Sequence, residues 1–172
     1  MPRPGQQQDP ASQPRLRRAY YDCRYGQLHL HNAIPPGGGF DELTSVICLH
    51  GDNETGAVFL PAMQALGARR SVYAFDLPGI GGTDPAPGVA ATEAAANAAG
   101  DFLDSMRIRS VDVIARGSAA PAALRLLEQR GQAIRRMVLV DASGPVPGHG
   151  GKVTVLGGAE ASPQRLVDLL SA

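Results

Sequence analysis

Short apolar runs alternating with segments of helical spacing constrain this chain more than any other feature. Residues 45–49 read Ser-Val-Ile-Cys-Leu, 71–75 Ser-Val-Tyr-Ala-Phe, 111–115 Val-Asp-Val-Ile-Ala and 136–140 Arg-Met-Val-Leu-Val. Continuous apolar runs of this length are the pattern of strands buried on both faces. Between them, residues 56–66 place Val58, Phe59, Met63 and Leu66 near helical spacing. Residues 94–106 are alanine-rich with Phe102, Leu103 and Met106 as anchors, and 119–129 carry Leu124, Leu126 and Leu127. Thr92 is the expected N-cap of the second helix, with Glu93 in its first turn. Strands alternating with helices predict an α/β fold, a mostly parallel sheet with helices on both faces. Ahead of this unit, residues 18–25 and 27–33 read as two strands with Gly26 between them, an N-terminal β-hairpin. After it, 153–156 is a further short strand. Ser162-Pro163 then opens a last helix, Ser as N-cap and Pro at the first helical position, with Leu166, Leu169 and Leu170 facing the sheet. The 21 glycines and 14 prolines cluster at 35–39, 78–88 and 144–151, where they punctuate elements.

Several function classes fall away on composition. Sixteen basic residues balance 16 acidic ones, so there is no electrostatic case for nucleic acid or an anionic membrane as partner. No apolar run approaches the ~20 residues of a membrane span. Residues 1–16 are rich in Pro, Gln and Arg without an apolar stretch, which predicts a disordered tail and no signal peptide. One domain over 17–172 and a cytoplasmic location follow as expectations. Cys23 and Cys48 are too few for a disulfide scaffold and are expected as buried free thiols. His29 and His31 share one face of the second strand. No Cys, His or Asp follows at metal spacing, so a polar outer face is expected and no metal. Gly79-Ile80-Gly81 lacks the third glycine of a dinucleotide fingerprint, and Gly151-Lys152 lacks the first glycine and the hydroxyl residue of a P-loop. No cofactor is expected.

Ligand sites in such sheets form beyond the carboxyl ends of the strands. Here these ends carry His50-Gly51-Asp52, residues 76–84, Arg116-Gly117-Ser118 and residues 141–143. The hairpin, the run Val46-Ile47-Cys48-Leu49-His50-Gly51, the stretch Tyr73-Ala74-Phe75-Asp76-Leu77-Pro78-Gly79-Ile80-Gly81-Gly82-Thr83-Asp84-Pro85, and Val111-Asp112-Val113-Ile114 leading into an Ala/Leu-rich helix follow in a fixed order. That order and spacing resemble the α/β-hydrolase family over residues 18–143.

The resemblance implies a small acyl or ester substrate and an oxyanion hole drawn from Gly51, Asp52 and Asn53 on one side and Gly117 and Ser118 on the other. Backbone N–H groups suit that task because they are fixed before charge develops; the Asp52 carboxylate would oppose it. The family's nucleophile elbow reads G-x-S-x-G, with small residues flanking a strained turn. This chain has Ala115-Arg116-Gly117-Ser118-Ala119, so glycine stands at the centre and Ser118 lies one position late. Serine chemistry also needs an imidazole and a carboxylate to orient it. The candidates are Ser118, His149 and Glu160. His149 sits in a Gly/Pro loop, a poor mount for a base, and Glu160 counts only if 153–156 is the family's next strand. His50 and Asp141 are expected to be structural, and Asp76 and Asp84 to tie their turn. Two functions stay open: an ester hydrolase with an incomplete triad, or a non-catalytic ligand-binding or interaction domain. Measured against the family, the chain stops before the last two strands, as a fragment of a longer hydrolase would. The resulting open sheet edge predicts a homodimer.

Overall fold

In the computed structural model, residues 12–38 and 43–172 are described. The hairpin comes first: β1 (Arg15–Cys23) and β2 (Gly26–Ile34) pair antiparallel with Cys23 opposite Gly26. The turn is therefore Arg24-Tyr25, and Gly26 is the first residue of β2, where its φ of 123° needs a residue without a β-carbon. Strand β1 takes in Arg15 and Leu16, which the sequence had assigned to the tail, because both pair with β2. Residues 1–11 of that expected tail lie outside the described residues.

Strands β3 (Ser45–Leu49), β4 (Val72–Phe75), β5 (Val111–Arg116), β6 (Ile134–Val140) and β7 (Val153–Leu156) complete a seven-stranded sheet of order β1-β2-β4-β3-β5-β6-β7. From β4 onward every pairing is parallel, and β2 joins β4 antiparallel. The helices are α1 (Leu60–Leu66), α2 (Ala91–Ser105), α3 (Ala120–Arg130) and α4 (Pro163–Ser171). The α/β architecture expected from the alternating runs is present, with the hairpin at one edge and β7 at the other.

Local chemistry explains the helix ends. Ser162 Oγ accepts from Arg165 N (3.2 Å), with Pro163 opening α4 as expected. Helix α2 starts at Ala91, one residue before Thr92, and its N-cap Ala90 makes no side-chain bond. Thr92 is thus inside the first turn. The segment 56–66 divides into a 3-10 turn (Gly56–Phe59) and α1, with Pro61 in the first helical turn.

Alternation along the strands sorts the core into two layers. Ile47, Leu49, Phe75, Val113 and Leu139 face α2 and α3, where Phe102 meets Tyr21, Tyr73 and Phe75 edge-on at centroid distances of 5.1, 4.9 and 5.0 Å. The small alanines of α2 let that helix lie close, and Phe102 fills the space they leave. Val46, Cys48, Val72, Ile114 and Val138 face α1 and α4, packed by Met63, Leu66, Leu166 and Leu170. Cys48 is a buried free thiol, pushed up by burial, while Cys23 is only half-buried, short of expectation.

The second layer closes on a buried charge. Asp112 of β5 is fully buried and pairs with Arg70 (3.1 Å) and Arg135. Both arginines also donate to the carbonyl of Leu170, and Arg136 donates to that of Leu169. The last carbonyls of α4 would otherwise lack partners; three guanidinium groups meet them and fix α4 to the sheet. Removing one member of such a pair leaves the other charge buried, at a cost of about 3–5 kcal/mol. Asp112→Ala is expected to lose about that much in urea denaturation; a loss under about 1 kcal/mol would show that the pair is not what secures α4.

Candidate functional site

Four strand ends meet at the carboxyl edge of the sheet. Strand β3 runs into His50, which is 2% exposed. Its Nδ1 donates to Gly51 O (2.8 Å) and its Nε2 accepts from Leu77 N (3.0 Å). A neutral imidazole has one donor and one acceptor nitrogen, so both are spent on holding two turns together. His50 is structural, as the sequence suggested.

Gly51 turns its N–H inward. It donates to Glu54 Oε2 (2.9 Å), and Glu54 Oε1 pairs with Arg116 Nη2 (3.1 Å). A β-carbon on Gly51 would lie 3.3 Å from the Arg116 carbonyl, so glycine permits this close approach. The Glu54–Arg116 clasp, which joins the turn after β3 to the end of β5, was missed in the sequence. Its partners lie far apart in the chain, and nothing local links them. Asn53 follows in the left-handed region, φ 58°.

Strand β5 ends at Arg116, and Gly117 turns the chain into a 3-10 turn (Gly117–Ala119) that leads straight into α3. Its φ is 50°. This left-handed, strand-to-helix corner is the conformation a nucleophile elbow requires, and here it carries a hydrogen. A β-carbon built on Gly117 would meet nothing nearer than Gly51 Cα at 4.0 Å. The Gly117 carbonyl accepts from Ser143 N (3.2 Å), tying the corner to the loop after β6.

Two cavities flank the corner. One of about 510 Å³ is lined by His50, Asp52, Leu77, Ile80, Ser118 and Ala119, among others; Gly51 and Asn53 also border it. The second, about 230 Å³, is polar: Glu54, Arg116, Gly117, Ser118, Asp141 and Ser143 surround it. The expected oxyanion residues Gly51, Asp52, Asn53, Gly117 and Ser118 are thus brought together. His149 and Glu160 line neither cavity. His149 lies in the loop before β7. Glu160 turns back on its own segment and accepts from Gly157 N (2.9 Å). β7 is the parallel strand beside β6 that would bring in an acid, yet Glu160 is spent as a cap. Asp141, φ 50°, accepts from Gly158 N (2.7 Å) and borders the smaller cavity.

A second cluster was also missed. Antiparallel pairing of β2 with β4 sets His29 opposite Asp76, and His29 Nδ1 donates to Asp76 Oδ2 (2.8 Å). Gly82 N donates to the same oxygen (3.0 Å) and Gly56 N to Oδ1 (2.8 Å). Thr83 Oγ1 donates to the Asp76 carbonyl (2.6 Å) and accepts from His29 N (2.9 Å). His29 is only 8% exposed, so the expected polar outer face is in fact covered at this residue. Asp84 accepts from Gln27 N (2.8 Å), so both aspartates tie their turn as predicted. Burial alone would push the Asp76 carboxyl up; the N–H groups of Gly82 and Gly56, with His29, outweigh it and hold it below the usual carboxylate range.

A depressed carboxylate stabilises the fold above the unfolded value of about 3.9 and loses that contribution as pH falls through its folded value. Asp76→Asn keeps one acceptor oxygen for three donors, and a loss of about 1–3 kcal/mol at neutral pH is expected. The stability difference between wild type and variant should shrink as pH falls below about 4. A difference that stays constant across that window would mean Asp76 is not held ionised by these donors.

A family model described as "Alpha/beta hydrolase family" matches residues 46–171. Among solved structures, naproxen esterase (carboxylesterase NP) from Bacillus subtilis is 18% identical, with a TM-score of 0.66 over 79% of this chain and 47% of that one. An epoxide hydrolase from an endophytic Streptomyces is 20% identical, TM-score 0.63, over 77% and 38%. Haloalkane dehalogenase DbeA from Bradyrhizobium elkani USDA94 is 17% identical, TM-score 0.65, over 77% and 44%. The chain spans less than half the length of each. At this identity the likeness is one of fold, and three different chemistries share it. No curated protein matches. Among the described residues, no helix is long and apolar enough to cross a membrane.

Proposed function

We propose, for a chain that belongs to the alpha/beta hydrolase family, that it binds a small acyl or ester compound beside Ser118 and does not itself cleave it by serine chemistry. The observation that carries this is Gly117: the elbow backbone is formed and the space before it is open, but no side chain fills it. Acyl transfer needs a nucleophile whose proton a base can take. Ser118 borders both cavities, and the one imidazole lining either of them, His50, has both nitrogens engaged. Size favours a small ligand, since about 510 Å³ lies within the ordinary range of ligand pockets. Asp52 at the wall disfavours a carboxylate and suits a neutral ester or amide.

The competing reading is hydrolysis through Ser118, and it rests on that residue's place at both cavities. p-Nitrophenyl acetate and butyrate separate the two. The folded chain is expected to hydrolyse them no faster than an unfolded control, and Ser118→Ala to leave the rate unchanged. A rate well above the control that Ser118→Ala abolishes would replace the binding reading with the catalytic one. Binding itself is read by the amide resonances of 50–53 and 117–119 during titration with p-nitrophenyl butyrate. Thr92→Trp, at the exposed rim of the cavity, is expected to suppress those shifts.

Gly117→Ser returns the hydroxymethyl group to the corner. It is expected to fold, to cost roughly 1–2 kcal/mol for a left-handed residue with a β-carbon, and to raise ester hydrolysis less than about tenfold. A general base alone contributes on the order of 10²–10⁴, so a rise in that range would mean that an imidazole reaches the corner.

A further inference from the structure

The cluster of His29, His31 and Asp76 plays no part in the pocket reading. Alternate residues of a strand share a face, so His29 and His31 of β2 point the same way. The register sets His31 opposite Ala74, and His29 falls opposite Asp76. One ligand atom from each of the three residues lies within 4.8 Å of the others. The two rings are 5.4 Å apart, edge to face.

We infer that His29, His31 and Asp76 form a divalent transition-metal site of zinc type. Two imidazoles and one carboxylate are a borderline donor set that suits Zn²⁺ better than Mg²⁺ or Ca²⁺. Zinc bound to three such groups keeps a fourth position for water. Ligand atoms about 2.0–2.1 Å from a tetrahedral ion lie roughly 3.3 Å from one another. The His29–Asp76 contact of 2.8 Å must open slightly, and the half-buried His31 must close in. On binding, the cation takes the place of the proton between His29 Nδ1 and Asp76 Oδ2, and His29 adopts its other neutral tautomer.

The surroundings hold this arrangement ready. Asp76 keeps its bonds from Gly56 N and Gly82 N, which orient the carboxylate while Oδ2 has a lone pair to spare. The ring of Tyr20 lies 5.0 Å from that of His29 and shields one side of the site. A neutral imidazole has one nitrogen lone pair to offer a cation. Arg18, the register partner of His31 on β1, is the charge that opposes a cation, and it is exposed. The partner absent from local spacing in the sequence is supplied by the fold, 47 residues along the chain.

The test uses the untagged full chain, so that no added histidines compete. Co²⁺ titration is expected to give visible ligand-field bands at one equivalent, which Zn²⁺ then removes. Zn²⁺ is expected to raise the melting temperature in a concentration-dependent way. His31→Gln is the decisive variant, because its side chain makes none of the bonds that hold the corner together. It should keep the wild-type circular dichroism spectrum and weaken Co²⁺ binding by at least about tenfold, the least that loss of even a ligand's supporting bond costs. His149→Gln, in the loop far along the chain, should bind as wild type does. No ligand-field bands at millimolar Co²⁺, bands that persist in His31→Gln, or bands lost in His149→Gln would each overturn the assignment.

Discussion

The carboxylate of Asp76 organises the working edge of this sheet. Three donors from three different segments converge on it: the N–H of Gly56 ahead of α1, the N–H of Gly82 in the turn after β4, and the His29 ring on β2. A buried ionised group is costly unless its lone pairs are met, and here both oxygens are. Each donor is held in turn by its own segment. The result is that the hairpin, the loop after β3 and the loop after β4 share one point of attachment. His50 adds a second tie between the last two of these, through Gly51 and Leu77. The wall of the larger cavity, from Leu77 to Ile80, is therefore set by charge satisfaction beneath it as much as by apolar packing.

The Glu54–Arg116 pair performs the equivalent task at the centre of the sheet. Glu54 takes the N–H of Gly51 and the guanidinium of Arg116 at once, and so links the turn after β3 to the corner after β5. The pair is partly exposed, with side-chain exposures of 25% for Glu54 and 36% for Arg116, so its energetic worth is small. Its consequence is geometric. It keeps Gly51 against the Arg116 carbonyl and so fixes the width of the cleft into which a substituent at position 117 would project. The same bond consumes the Gly51 N–H, so Gly51 has no free donor to turn toward the cleft.

How much of this was legible in the sequence follows from the range of each interaction. The parallel sheet was readable because four apolar runs carry their own burial signal, and Ser162-Pro163 because a cap is local chemistry. Gly117 at the corner was readable because the elbow is a contiguous motif. The His29–Asp76 pair was not: the strand pattern placed His29 on a polar face, and only the antiparallel β2–β4 register reveals that β4 delivers a carboxylate to cover it. Glu54–Arg116 and Asp112–Arg70 are equally non-local. Glu160 shows the opposite failure. Its position after β7 matched the place of an acid, but a carboxylate three residues beyond an exposed N–H finds a nearer partner in Gly157.

Glycine at position 117 also has a thermodynamic logic. The corner forces φ to 50°, a region that costs a residue with a β-carbon roughly 1–2 kcal/mol and glycine almost nothing. Catalytic members of such folds carry that strain because the nucleophile must stand proud of the sheet. A chain with glycine there keeps the corner, the cavity and the helix behind it without the strain. The scaffold is indifferent to the loss because nothing packs against the missing side chain; the nearest atom to its β-carbon position is 4.0 Å away. Corner geometry and side chain are thus separable at position 117. The backbone determines the first, and the residue at that position the second.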